Sequence, residues 1–407
     1  MSAATKRVPK GNGLLPAELA GTLQKASYVL AALGVILGGA GFATDRVRFG
    51  YSYLAGFMFT ATICVGALFW VAILHLTKSS WSVAPRRILE WVSQGTVALL
   101  PLFIPLIALA PSIWVHWMGA HGMADEVIKG KSGYLNPTFF YTRAAIFLVI
   151  WAGLATWFYK LSREQDQSGD KGLSQRMQSF AAPAVALVGL SLTFAGFDWL
   201  MSLDPHWYST MFGVYVFAGS ALSSLAVLCL GILAFRKRGV AGDLLTIEHQ
   251  HDAGKYLFGF VVFWAYIAFS QFMLIWYANI PEETIYYRLR WFNGWEYVSI
   301  AIVFGHFVLP FLILLSRTAK RSNLLGLAAG LIFLMHFVDM YWAVMPNFNR
   351  EAGGKGLSTF TPSWIDLGGL LLPFGLTAAW LSYRVLRDPA HPLKDPYIPE
   401  ALKAENL

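Results

Sequence analysis

Apolar residues in this chain come in long runs, not in the alternation of a half-buried strand or the one-sided stripe of a surface helix. Ten runs fall near 26–44, 51–76, 88–113, 139–160, 177–201, 210–235, 255–278, 295–316, 323–345 and 363–386, separated by polar or Gly/Pro-containing breaks. As helices at 1.5 Å per residue they would be about 28–39 Å long, enough to cross a hydrocarbon core of roughly 30 Å with some tilt. The pattern predicts an all-α polytopic membrane protein with about ten transmembrane helices. The first run is rich in glycine, and Gly34, Gly38, Gly39 and Gly41 suit close packing against another helix in lipid.

Composition agrees. Of 407 residues, 56% are apolar and only 13% charged, against roughly 25% charged in a soluble domain. The net charge of +8 gains meaning once its positions are assigned. With ten crossings, the side that holds both termini carries 22 Lys and Arg, and the opposite side nine. The positive-inside rule then places both termini in the cytoplasm, with polar segments at 1–25 and 387–407. The first 25 residues hold Lys6, Arg7, Lys10, Glu18 and Lys25 and no apolar core, so no cleavable signal is expected. Cys64 and Cys229 both lie in apolar runs. Two thiols cannot build a disulfide framework, a Cys-ligated iron–sulfur cluster or a zinc site, and no C-x-x-C-H is present for covalent haem.

The outer connections (114–138, 279–294 and 346–362) are rich in Trp, Tyr, Pro and Gly. Pro281-Glu-Glu-Thr284, followed by Tyr286, Tyr287, Trp291, Phe292 and Trp295, reads as a short interfacial helix or a plain surface helix. A weak repeat links the fifth and ninth runs. Asp198 and Asp339 each precede a proline, Pro205 and Pro346, by seven residues. The two runs are parallel, which suggests two related four-helix bundles, 51–201 and 210–345, with the first and last helices flanking them.

An ionisable side chain inside an apolar helix costs about 2.5–3.5 kcal/mol on insertion scales. The deep set is Asp198, His306, His336 and Asp339, while Glu296 and Asp366 lie at outer ends and are expected to reach the headgroups. His336 and Asp339 are i, i+3 on one helix face and are expected to hydrogen-bond directly. With Asp198 and His306 they form a candidate proton relay; the bland alternative is hydrogen bonding between packed helices. Tyr215, Tyr266, Gln271, Ser191, Thr193, Ser220, Ser223 and Ser224 extend the polar file. For the Ser and Thr hydroxyls, bonding to their own helix backbone is the simpler account.

Two mid-depth histidines also raise bis-His ligation of one b-type haem, against the simpler role of hydrogen-bonding groups. The turn Asp204-Pro-His-Trp207 reads as a rigid cap, or as a mouth for protons or quinone with Asp204, His206, Tyr215 and Gln271 in that region. No phosphate loop, Ser–His–Asp order or HExxH zinc motif stands out.

The stretch Phe197-Asp-Trp-Leu-Met-Ser-Leu-Asp-Pro-His-Trp-Tyr-Ser-Thr-Met-Phe-Gly-Val-Tyr-Val-Phe-Ala-Gly219 resembles the NrfD-like membrane subunits of bacterial alternative complex III, of the shorter, ActF type. Shorter stretches support it: Trp276-Tyr-Ala-Asn-Ile-Pro-Glu-Glu-Thr284, Gly305-His-Phe-Val-Leu-Pro-Phe311 and His336-Phe-Val-Asp-Met-Tyr-Trp342. The resemblance implies ten helices in two bundles, in a bacterial inner-membrane quinol:electron-acceptor oxidoreductase complex of the respiratory chain. It implies partners: a second NrfD-like subunit, an iron–sulfur protein and a multihaem cytochrome c. It also implies no redox cofactor in this chain, whose own part would be a proton route or a quinone contact. A secondary transporter and a purely structural anchor stay open beside it. The transporter is disfavoured here by the lack of an obvious broken helix lined with polar groups.

Overall fold

The computed structural model describes residues 13–119, 125–348 and 357–403, and every regular element among them is helical. Lys6, Arg7, Lys10, Arg350 and Lys355, all among the cations counted above, lie outside the described residues, as does His121. Among the described residues nine helices are long and apolar enough to cross a membrane. They are α1 (Ala17–Thr44), α2 (Arg46–Leu76), α4 (Pro137–Ser168), α5 (Lys171–Trp199), α6 (Met211–Lys237), α7 (Ile247–Ala278), α8 (Trp295–Leu315), α9 (Leu324–Val344) and α10 (Trp364–Val385). A further element, α3, is a pair of helices, Arg86–Leu102 and Ile104–Ile113, bent by 61° at their junction, which makes a tenth crossing when the pair is counted as one span. The chain is a polytopic helical membrane protein.

The break in α3 corrects the expectation of one continuous helix over 88–113. Pro101 and Pro105 flank Phe103, and each removes a backbone donor and crowds the preceding turn. At the break Phe103 packs on Phe57 and Trp199, and the Tyr53 hydroxyl donates to the Leu102 carbonyl at 2.7 Å. A second irregularity is a π-helical turn at Val303–Val308 inside α8, which carries His306.

Helix α2 is the hub, packed against α3, α5, α6, α9 and α10. It therefore touches helices of both predicted bundles. Its Gly66 lets α6 come close: a Cβ there would sit 2.1 Å from the Ser220 carbonyl oxygen. Helix α1 packs along α10 with Gly34, Gly38 and Gly41 buried, as the glycine pattern implies, while Gly39 is exposed and makes no close approach. It starts at Ala17, so residues 17–25 are helical and only part of the expected polar segment precedes it.

The two described ends of the chain meet, since the Ala390 N–H donates to the Gly13 carbonyl at 2.8 Å. With the bent pair counted as one span, an even number of crossings puts both ends on one side, which this contact matches. The segment after α10 is packed onto that end of the bundle, with Ala390, His391, Asp395 and Ile398 buried. Its Asp395 pairs with Arg86 at 2.6 Å and its Asp388 with Arg163 at 3.1 Å. Burial pulls the His391 imidazole below its ordinary range. At the opposite end, the short helix Pro281–Arg288 is anchored inward. Tyr286 is buried, and Arg290 just beyond it donates to the carbonyls of Trp342 (3.1 Å) and Ala343 (2.8 Å). Trp291, Phe292 and Tyr297 stay exposed.

Candidate functional site

Among the described residues five carboxylates sit buried on these helices, and their partners separate them: Glu90 on α3 pairs with Arg86 at 3.1 Å and Arg87 at 3.2 Å, and Asp166 on α4 pairs with Arg87 at 2.6 Å. Asp198 on α5 receives two bonds from the Arg143 guanidinium on α4, at 2.6 and 3.0 Å. Arg143 also lies 3.8 Å from the Tyr134 ring centroid and donates to the Tyr134 carbonyl at 3.0 Å. Asp366 on α10 is held by Arg48 at 2.7 Å, by the Ser52 and Tyr341 hydroxyls at 2.6 and 2.8 Å, and by the Ser363 N–H at 2.9 Å. The expectation that Asp366 reaches the headgroups is therefore corrected: its fixed charge partner and helix cap turn it inward. Glu296 accepts from the Gly294 N–H at 2.8 Å, capping α8.

Asp339 on α9 is different. Among the described residues it is in no ion pair. The Tyr215 hydroxyl of α6 donates to its Oδ1, and its buried Oδ2 has no partner. The Trp264 indole N–H of α7 lies within interaction range of the same carboxylate without closing a hydrogen bond of standard geometry. His336 does not bond Asp339, contrary to the i, i+3 expectation. Its Nε2 is 2.8 Å from Thr62 Oγ1 on α2. The Thr62 hydroxyl is 2.7 Å from the Met58 carbonyl. Assigning the hydroxyl proton to that carbonyl makes His336 the donor through Nε2 and leaves Nδ1 an acceptor with no partner. Gly219 on α6 makes room for this ring; a Cβ there would meet His336 Cε1 at 3.2 Å.

His306 completes the cluster. Both of its ring nitrogens are buried without partners, its ring centroid lies 4.2 Å from that of Trp264, and the centroid of His336 is 6.1 Å away. Five crossings therefore converge on one polar core that leaves Asp339 Oδ2, both His306 nitrogens, His336 Nδ1 and Trp264 Nε1 unsatisfied. Most buried polar groups in folded proteins find partners, so such a concentration calls for waters or exchangeable protons between the groups. These residues do not fit a bis-His haem. The His336 Nε2 is engaged by Thr62, and Trp264 lies against His306, which leaves no slot for a porphyrin between the rings.

A polar file leads from Asp339 toward the end of the bundle formed by Pro281–Arg288. The Tyr286 hydroxyl, buried without a partner, interacts electrostatically with Asp339, and burial pushes its phenol up to about 12, so it stays a neutral donor. Next comes Tyr287, whose hydroxyl accepts from Gln271 Nε2 at 3.2 Å. Gln271 Oε1 in turn accepts from the half-buried Ser209 hydroxyl at 3.2 Å. Tyr215 and Gln271 thus belong to this file. Tyr266, 64% exposed, points out of it. Ser191, Ser223 and Ser224 bond carbonyls of their own helices, as expected, while Ser220 donates across to the Thr62 carbonyl at 2.6 Å.

Asp204 and His206 are elsewhere. Asp204 accepts from the His206 N–H at 3.2 Å, and His206 Nε2 bonds Asp125 at 2.7 Å, clasping two outer connections. That hydrogen bond holds the Asp125 carboxyl below its ordinary range. Beside the clasp is a cavity of about 440 Å³ lined by Lys131, Tyr134, Phe197, Ser202, Trp207 and Tyr208. Burial lowers the Lys131 ammonium from its ordinary range, and its Nζ donates to the Pro205 carbonyl at 2.7 Å.

The sequence reading missed Arg143, Thr62, Trp264 and Tyr286. Arg143 alone had a signal, a lone cation in an apolar helix. Among the described residues no group of three or more His, Cys, Asp or Glu is placed to hold a metal ion. No protein-family model matches the chain, and no curated protein matches it.

Proposed function

We propose that this chain is a membrane subunit of a bacterial quinol:electron-acceptor oxidoreductase complex, in which it carries protons through the Asp339 cluster and holds no redox cofactor of its own. The observation that carries the reading is Asp339, a buried carboxyl without a cation in a core of unsatisfied imidazole and indole nitrogens. A buried carboxylate that is permanently charged needs a partner. Asp198 and Asp366 have arginines; Asp339 has only neutral donors and so is suited to exchange a proton.

In this scheme Asp339 takes a proton from, or gives it to, the Tyr215 hydroxyl, and the Tyr286, Tyr287, Gln271 and Ser209 file connects it to the outer face. His336 and His306 continue the relay inward. Asp198, closed by Arg143, holds α4 against α5 and is not a carrier. The outer cavity beside Asp204 and His206 is the place for a quinone contact. Quinol oxidation releases protons together with electrons, which gives such a route a task. The 197–219 stretch supports the respiratory assignment. The partners are a second NrfD-like subunit, an iron–sulfur protein and a multihaem cytochrome c, and both termini face the cytoplasm of the inner membrane.

The test is purification of the tagged chain from its native membrane in mild detergent, then reconstitution into proteoliposomes. Copurifying iron–sulfur and c-haem proteins with quinol-dependent acceptor reduction are expected. Asp339→Asn is expected to leave assembly intact and lower proton movement per electron. A chain that purifies alone and inactive would overturn the respiratory reading; an unchanged proton-to-electron ratio would overturn the relay.

A further inference from the structure

Helix α8 buries a stripe of side chains, Ile302, His306, Pro310 and Leu314, each four residues beyond the last. A regular α-helix turns through about 1200° from Ile302 to Leu314, which would leave Leu314 about 120° off the face of Ile302. The π turn at Val303–Val308 takes in one extra residue and removes about 100° of that drift. Both halves of α8 therefore face inward, with His306 between them. The first half is pinned, since the Trp342 indole donates to Ser299 Oγ at 2.8 Å and the Ser299 hydroxyl to the Arg290 carbonyl at 2.7 Å.

The wider turn leaves one backbone carbonyl over. The Leu309 N–H reaches back five residues to the Phe304 carbonyl. The next carbonyl is that of Gly305, whose helical donors would stand four or five residues further on. The first is Leu309, bonded to Phe304, and the second is Pro310, which has no N–H. Gly305 is buried, and an added Cβ there would meet Met335 Sδ of α9 at 2.6 Å. In a trans peptide the carbonyl oxygen lies on the same side as the next Cα, so the Gly305 oxygen sits at the root of the His306 side chain. Both nitrogens of that ring are buried without partners. A buried carbonyl beside a buried imidazole offers an internal water the two polar partners it needs.

We propose that the π turn holds an internal water between the Gly305 carbonyl and the His306 ring, and that this water carries protons to and from His306. The carbonyl takes one hydrogen and so fixes the orientation of the molecule. As the water gives its other proton to the ring nitrogen it accepts one at a lone pair, so it stays neutral after each transfer. The site follows from the backbone of α8 alone; the carrier role rests on the relay reading.

The site is tested by electron cryo-microscopy of the full chain in lipid nanodiscs, at a resolution that shows ordered water in the Asp339 cluster. Density within hydrogen-bond distance of the Gly305 oxygen and a His306 ring nitrogen is expected. A protein donor on that carbonyl, or no density there while other buried waters are seen, would overturn the site. The role is tested with Pro310→Ala, which supplies the N–H that Gly305 lacks in the five-residue ladder and so displaces the water. Removing a proline from a helix interior is expected to leave the thermal midpoint unchanged or raised. Proton movement in the assembled complex is expected to slow about tenfold or more, with electron transfer retained. Loss of the water with proton movement unchanged would overturn the carrier role. Should Pro310→Ala not fold, the wild-type complex decides: an infrared water band that changes during turnover and shifts in heavy-oxygen water is expected, and its absence would overturn the role. An Asp339→Asn complex with an unchanged proton-to-electron ratio would remove the relay and the role together, while the density at Gly305 would still establish the site.

Discussion

Asp198→Asn is expected to destabilise the protein by about 3 kcal/mol and Asp339→Asn by less than about 1 kcal/mol, although each removes a fully buried carboxyl. The difference follows from the partners. Asparagine at 198 removes the negative charge that faces Arg143, whose side chain is 7% exposed and cannot turn to water. Breaking a buried ion pair from one side costs about 3–5 kcal/mol. Arg143 keeps the Tyr134 carbonyl and the faces of Tyr134 and Phe139, which places the cost at the lower end. Asparagine at 339 has the same shape, its Oδ1 still accepts from Tyr215, and no cation is left uncompensated. Denaturant titration of the purified variants in one micelle composition gives both values. Replacing Arg143 and Asp198 together by leucine is expected to recover most of the loss, since no charge is then stranded. A stable Asp198→Asn, or an Asp339→Asn that loses 198-like stability, would refute the division of the two acids into structural and exchangeable.

Two further outcomes follow from the same geometry. Tyr215→Phe removes the donor to Asp339 and leaves both carboxyl oxygens without a hydrogen bond, a loss of about 1–3 kcal/mol that should slow proton movement roughly tenfold or more, with electron transfer retained; stopped-flow pH recording of proteoliposomes reads it. The Asp125–His206 clasp should hold from neutral pH down through the ordinary carboxylate range. Its carboxyl is held low in the folded protein, so its contribution is complete above the unfolded value and is lost only as pH falls through the lowered folded one. Hydrogen exchange of residues 204–209 that rises only at the acidic extreme is the expected readout.

Most of the crossings were legible because membrane helices are written in length and apolarity, which survive without knowledge of neighbours. The bend in α3 was written too, in Pro101 and Pro105, but a hydropathy run passes over prolines whose freed backbone groups are met by tertiary packing. Nothing local announces the π turn that carries His306. The site was half legible. Cost alone picks out Asp198, His306, His336 and Asp339, since each is an expensive residue in lipid. Cost does not say which are already compensated: Arg143 lies 55 positions before Asp198, and only the packing of α4 on α5 joins them. In the same way Thr62 draws His336 away from Asp339, a choice set by α2 and invisible in the i, i+3 spacing.

The most direct test of the account is a redox-induced infrared difference spectrum of the assembled complex, in wild type and in Asp339→Asn. The account predicts a carboxylic-acid C=O band that changes during turnover, shifts in heavy water, and disappears in Asp339→Asn. A band that persists in that variant and vanishes in Asp198→Asn would contradict it.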